Sequence, residues 1–166
     1  LALAGDDHGA KSSTTAHQSD HAFIHFGMPI LNPATVQDYL DFGILGIAMS
    51  RYSGCWVGFK CVTDTVESGA SVDITLDRFT PIIPNEDFAP DENIHIQWGF
   101  APAASEPRLY KVRLPAAQAF ARANSIDKVI FKERKKLAIV TSGKAYLDVR
   151  QALDELGLDD EKCKRI

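Results

Sequence analysis

Cysteine is scarce in this chain and poorly placed for cooperative work. The three thiols, Cys55, Cys61 and Cys163, are odd in number and widely spaced, which fits neither a disulfide framework nor a zinc or iron–sulfur pattern. Reduced, mostly buried thiols are expected, as in a cytoplasmic protein. Long apolar runs are missing too. Nothing approaches the roughly 20 residues needed to cross a bilayer, and the opening LALAGDDHG has no basic region and too short an apolar run for a signal peptide. Basic excess is absent as well: 18 Lys and Arg against 22 Asp and Glu give a formal net charge of -4, so there is no electrostatic footprint for nucleic acid. The one basic run, KERKK at 132–136, precedes an apolar segment and reads as a solvated connector.

What remains is ordinary for a soluble globular chain: 166 residues, 45% hydrophobic and 24% charged, enough for a domain with a real core. The exception is GDDHGAKSSTTAHQSDHAF at residues 5–23. Four of the five histidines, His8, His17, His21 and His25, fall in or just beyond it. The chain starts in an apolar run without Met and stops at KCKRI, and both ends read as cuts through a larger protein.

Residues 1–4 predict a buried strand that leads into this polar loop, which runs to about Asp20. HAFIHFGMPIL follows and ends at Pro33. Asn32 reads as a helix N-cap with Pro33 at the first helical position. Val36, Tyr39, Leu40, Gly43, Ile44, Ile47 and Ala48 then share one helical face. Arg51 lies in the last turn and Gly54 just past it, a stop signal. CWVGFKCVT, 55–63, is rich in β-branched and aromatic residues and predicts a strand buried on both faces, as in a parallel sheet. Strand, loop, helix, strand is an α/β order.

From Thr80 to Pro107 there are five prolines and no helical period, with one short alternating piece, NIHIQW, at 93–98. This stretch predicts an extended connector. A helix is expected over 115–124. KLAIVTSGKAYLDVRQALDELG, 136–157, restarts the α/β pattern. Leu137 to Val140 predict a buried strand and Thr141 to Gly143 a turn. Tyr146, Val149, Ala152, Leu153 and Leu156 share a helical face that Gly157 ends.

Local motifs stop short of a reaction. His17 and His21 have the four-residue spacing of a zinc helix, but Gln18 stands where a zinc protease needs Glu. Asp6, Asp7 and His8 could ligate a metal, though no spacing rule joins them to the other histidines. GAKSSTT at 9–15 offers N–H groups, a lysine and hydroxyls to an anion, yet it lacks the Walker spacing, as does TSGKAY at 141–146. Ser12 and Ser13 lie near acids and imidazoles without a nucleophile elbow. Read locally, this is a polar loop at a strand end of an α/β sheet, where ligands commonly bind. Two further readings stay open: a standalone α/β small-ligand-binding module, and a metal hydrolase centred on His8, His17 and His21.

In order along the chain, three blocks carry a resemblance. GDDHGAKSSTTAHQSDHAFIHFGMPILNPATVQDYLDFG resembles the second half of the pyrimidine-binding domain of indolepyruvate:ferredoxin oxidoreductases, most closely their long fused proteobacterial form. Asp6-Asp7, Ser12-Ser13 and Gln18-Ser19-Asp20 stand where two-subunit relatives carry Asp-Asp, Ser-Ser and Gln-x-x-Gln-Asp. WVGFKCVTDTVESGASVDI is similar to the following strand and loop. KLAIVTSGKAYLDVRQALDELGL is similar to the start of the next, transketolase C-terminal-like domain. The resemblance implies an α/β chain in three parts. These are the C-terminal half of a thiamine-diphosphate pyrimidine domain (1–79), a connector with a short strand and helix (80–134), and the start of a transketolase C-terminal-like domain (135–166).

The same resemblance implies oxidative decarboxylation of aryl 2-oxoacids to acyl-CoA, with thiamine diphosphate, Mg²⁺ and [4Fe–4S] clusters in the complete enzyme, coenzyme A as a substrate and ferredoxin as electron acceptor. A cytoplasmic homodimer is expected when complete, and the chain alone is expected to be inactive and to bind none of these cofactors. The activating glutamate is expected upstream of Leu1. The Gly-Asp-Gly…Asn diphosphate motif and a clustered cysteine run are absent from these residues. The loop residues expected to face the substrate and cofactor cleft are His8, Lys11, Ser12, Ser13, His17, Gln18 and Asp20, with Thr63 and Asp64 from the end of the next strand.

Overall fold

The computed structural model describes residues 1–75, 77–89, 93–96, 99, 101–132 and 137–164. Three parallel strands form its sheet: β1 (Ala2–Asp6), β2 (Ile30–Leu31) and β3 (Gly58–Val62), in the order β1-β3-β2. Leu3 is opposite Phe59 on one side of β3, and Leu31 is opposite the same residue on the other. Parallel neighbours need a crossover, and helix α2 (Val36–Ser53) supplies it between β2 and β3. The α/β order read from the sequence is therefore present. β3 is central, and four of its five residues are buried, as the β-branched and aromatic run around it predicts, with Lys60 the one charged residue it takes inside.

Helix α2 begins three residues later than Asn32 and Pro33 suggest. Thr35 is its N-cap: Thr35 Oγ1 accepts from Asp38 N–H at 3.1 Å, and the Asp38 carboxylate accepts from Thr35 N–H at 2.9 Å. A reciprocal capping box satisfies two orphan donors, where Asn32 would have satisfied one. At the other end Gly54 takes φ 72°, a left-handed cap that favours glycine.

The face chosen by periodicity is corrected in part: Tyr39 and Ala48 pack against the core as expected, but they flank it and do not lead it. Leu45, Met49 and Ser53 are the buried row of α2, whereas Leu40, Ile44 and Ile47 stand 42%, 49% and 52% exposed. The helix is apolar around most of its circumference, so spacing alone could not select the inward side. Tertiary packing did: Leu45 and Met49 meet Leu31, Val57 and Phe59 of the sheet side and Ala117 and Phe120 of a second helix.

That second helix, α5 (Leu114–Ala123), is the one expected over 115–124. It continues from α4 (Pro102–Arg108) through a π-helical turn at Leu109–Arg113, so the last part of the stretch expected to be extended is helical. Pro115 has no N–H for the Lys111 carbonyl, and the wider turn, in which Leu114 N–H reaches Leu109 O, absorbs that loss. Residues 93–96 of the alternating piece form a bend and not a strand; its last two residues and 133–136 of the basic run lie outside the described residues.

Two short helices, α1 (Asp20–His25) and α3 (Thr63–Val66), follow the polar loop and β3, while α6 (Lys144–Glu155) and α7 (Asp160–Cys163) close the chain. The helix expected after the TSGK turn is α6, and Gly157 ends it in a left-handed conformation. The strand expected at 137–140 does not form: Leu137, Ile139 and Val140 are 62%, 56% and 94% exposed and carry no strand pairing. A β-branched run becomes a strand only against a partner edge, and it meets none among the described residues. No helix among these residues is long and apolar enough to cross a membrane.

Candidate ligand site at the carboxyl edge of the sheet

β1 and β3 run parallel, so both deliver their following residues to the same edge. β1 ends at Asp6 and opens into the polar loop; β3 ends at Val62 and opens into Thr63 and Asp64. The loop folds back over this edge. Lys11 forms an ion pair with Asp64, Ser12 Oγ lies 3.5 Å from Thr63 Oγ1, and Thr63 Oγ1 donates to Asp6 O at 3.2 Å. Four of the residues singled out in the sequence therefore meet. The pair raises Lys11 and lowers Asp64, each first through their mutual hydrogen bond.

Asp7 shapes the loop. Its carboxylate accepts from the N–H groups of Lys11, Ser12 and Ser13 at 2.9, 2.8 and 2.9 Å, and from Ser13 Oγ at 2.9 Å. These bonds, those from the Ser12 and Lys11 N–H groups foremost, hold the Asp7 carboxyl far below the usual carboxylate range. The N–H groups that the GAKSSTT motif offers to an anion are thus already occupied by the chain's own carboxylate. Asp7 O also accepts from Ala10 N–H and His17 N–H at 3.3 and 3.1 Å, closing the loop on itself.

His17 braces the far side. Its Nε2 lies 2.8 Å from Gly5 O and its Nδ1 3.0 Å from Thr15 O. Carbonyl oxygens only accept, so both contacts are hydrogen bonds only when the ring is the doubly protonated imidazolium. The bonds to Thr15 and Gly5 raise the His17 pKa accordingly. A raised folded value means that this brace is fully present below about pH 6.5, the unfolded value, and is lost as pH rises through the higher folded one. Amide exchange at residues 15–17 should therefore accelerate beyond the intrinsic rate as pH rises from about 6.5 through the higher folded value, and His17→Gln should remove that excess.

The remaining loop residues divide. Ser13 belongs to the Asp7 network, Gln18 is exposed, and His8 is half-exposed with Nε2 3.8 Å from Asp6 Oδ2. His17 lies outside α1 and His21 within it, so their spacing does not place two imidazoles on one helix face. The set His8, His17 and His21 is not the one that gathers; Asp6, His8 and Asp20 are.

Lys60 is the residue that motif reading missed. It sits in the middle of β3 and is 3% exposed, with Nζ 2.5 Å from Asp20 Oδ2 and 3.3 Å from Asp6 Oδ2. The available signal was a lysine inside GFKCV, in a strand with no solvent face. Burial by itself would raise Asp6, itself 1% exposed; the Ser19 hydroxyl at 2.7 Å, the Ser19 N–H at 3.1 Å and the Lys60 ammonium together outweigh it and lower the carboxyl. The loop is pinned at both stems: Asp6 holds Ser19, and Lys60 holds Asp6 and Asp20.

The TSGK turn reaches the same edge from later in the chain. Asn32, just past β2, donates to Ser142 Oγ at 3.2 Å. Gly143 takes φ 55°, and a Cβ there would lie 2.5 Å from Asn32 Oδ1, so both conformation and contact require glycine. The charge of Lys144 contributes to lowering Asp64. Cys55 and Cys61 are raised by burial and are inert as nucleophiles.

Residues 126–166 match the family model of the indolepyruvate ferredoxin oxidoreductase middle domain. The match supports the indolepyruvate ferredoxin oxidoreductase family. It covers the last 41 of 166 residues, including the TSGK turn and α6, and it suggests an oxidoreductase. No curated protein and no solved structure matches the chain.

Proposed function

We propose that this chain forms one wall of the substrate and cofactor cleft in an enzyme that oxidatively decarboxylates aryl 2-oxoacids, indolepyruvate among them, to acyl-CoA with ferredoxin as electron acceptor. The observation that carries this reading is the meeting of Lys11 and Ser12 with Thr63 and Asp64 over the carboxyl ends of two parallel strands, in a chain whose last quarter matches the oxidoreductase family. A 2-oxoacid presents a carboxylate. Lys11 has a side chain 62% exposed, and Asp64 orients its ammonium until a substrate carboxylate shares it through a charge-assisted bond. Ser12 and Thr63 supply hydroxyls beside it.

Thiamine diphosphate supplies carbanion chemistry when bound. The residues of this chain do not fit its diphosphate and Mg²⁺: the loop N–H groups are filled by Asp7, and the gathered ligand set Asp6, His8 and Asp20 already holds Lys60. Nor do three dispersed cysteines fit a [4Fe–4S] cluster. Those groups are assigned to other parts of a larger enzyme. Leu3, Ile44, Ile47 and Val140 stand 72%, 49%, 52% and 94% exposed, apolar surface that neighbouring parts of such an assembly would cover.

The test is indolepyruvate oxidation by the enzyme that carries this chain. Lys11→Ala is expected to raise KM for the oxoacid about tenfold while kcat changes less, as for lost ground-state binding. An unchanged KM sinks the contact role of Lys11.

A further inference from the structure

Lys144 stands where a cation works against its own helix. It is the first residue of α6, and that helix has no acid in its first turn. The backbone dipole places its positive end there, so a positive side chain is disfavoured. Lys144 pairs with Asp148 four residues on, at 2.6 Å, with the two side chains 42% and 55% exposed. The lysine precedes the acid, which is the weaker order on a helix, and exposed pairs contribute little. Helix formation therefore does not account for this lysine. Its place over the sheet does. β2 ends at Leu31, opposite Phe59, while β3 runs on to Val62, a step of about 10 Å at roughly 3.3 Å per residue. The TSGK turn stands beyond the shorter strand. Asn32 Nδ2 donates to Ser142 Oγ at 3.2 Å, and Gly143 fits against the same Asn32 side chain. From there the charge of Lys144 reaches Asp64, the partner of Lys11.

We infer that Lys144 is a specificity-determining residue of the candidate site: it supplies, from the part of the chain that matches the oxidoreductase family, a second ammonium for the carboxylate that Lys11 receives. This inference rests on the substrate reading above and deepens it. Lys11 comes from the loop after β1 and Lys144 from the turn beyond β2, and these strands flank β3 on its two sides. A 2-oxoacid carboxylate over the end of β3 is then shared by two cations, and Asp148 is left to water. The weak exposed pair gives up Lys144 at little cost. Two ammoniums from opposite sides favour an ionised acid over its amide or ester, and they tie the polar loop to the TSGK turn while substrate is bound.

The test is steady-state oxidation of indolepyruvate by the enzyme that carries this chain, with thermal unfolding of each variant alongside. Lys144→Met is expected to raise KM for the oxoacid about fivefold while kcat changes less. Its melting temperature should stay the same or rise slightly, because a cation has left a helix N-terminus. Asp148→Asn is expected to act in the opposite direction and lower KM about twofold, since it frees Lys144 from a pair of that strength. A lysine that serves only α6 gives another pattern, in which both variants lose stability and neither alters KM; that result overturns the inference. So does a KM raised equally by Lys144→Met and Asp148→Asn, which would trace the effect to a disturbed turn. An unchanged KM in Lys144→Met beside a raised KM in Lys11→Ala overturns the role of Lys144 and leaves the substrate reading standing. Unchanged KM in both variants overturns the two together.

Discussion

Phe120→Ala is expected to lower the unfolding free energy by about 3–5 kcal/mol, the usual cost of a large aromatic removed from a packed core. Phe120 has no exposed surface and stands where α5 crosses α2, its ring centroid 6.1 Å from that of Tyr52. Around it lie Met49, Val57 and Ala117 of the same cluster. Small alanines at 116, 117 and 119, all buried, bring the helix close to its neighbours and leave few side chains able to collapse into the vacated space. Since a domain is stable by only about 5–15 kcal/mol in all, urea titration should show a midpoint reduced by about a fifth or more. A loss below about 1 kcal/mol would mean that α5 is not part of the cooperative core.

Lys60→Met is expected to cost a similar amount, about 3–5 kcal/mol near neutral pH, for a different reason. Methionine keeps most of the stem's packing in β3 and removes only the charge. Asp6, whose side chain has no exposure, then remains ionised in the sheet with Ser19 as its principal partner. The sign of the pH dependence separates this cause from simple misfit. In the unsubstituted chain the Asp6 carboxyl is lowered, so its contribution is present above the unfolded value near 3.9 and is lost as pH falls through the folded one. In the variant the ammonium that helps to lower it is gone, and a protonated Asp6 needs no cation. The stability gap between the two chains should therefore narrow as pH falls below about 4. A gap that stays constant from pH 7 to pH 3.5 would assign the loss to packing.

The pieces of the fold that were legible in the sequence are those governed by local chemistry. β3 could be read because a run without polar alternation has to be buried on both faces. The end of α2 could be read from Arg51 and Gly54, and α6 from its periodic face and Gly157. The start of α2 was misplaced because Asn32-Pro33 and Thr35…Asp38 are both credible caps, and the second satisfies one more backbone donor. The run at 137–140 predicts a strand that does not form, because β-branched composition describes a preference that needs a partner edge. Helix α4 was not legible because Pro107 lies inside it and the segment has no helical period, while the π turn that lets α4 run on into α5 has no signature of its own.

The candidate site divides in the same manner. Lys11, Ser12, Thr63 and Asp64 could be named because they follow two strands, and parallel strands send their following residues to one edge of a sheet. By itself the sequence determined the α/β order, the buried central strand, the polar loop and the helix stops, since each rests on contacts within a few residues. Only the tertiary structure decided which side of an all-round apolar helix faces inward, that Asp7 fills the loop's own anion cradle, and that Lys60 closes the carboxylates at its stem. Those outcomes join residues far apart in the chain, Asp6 with Lys60 and Leu45 with Phe120 among them, and no local pattern encodes a distance in space.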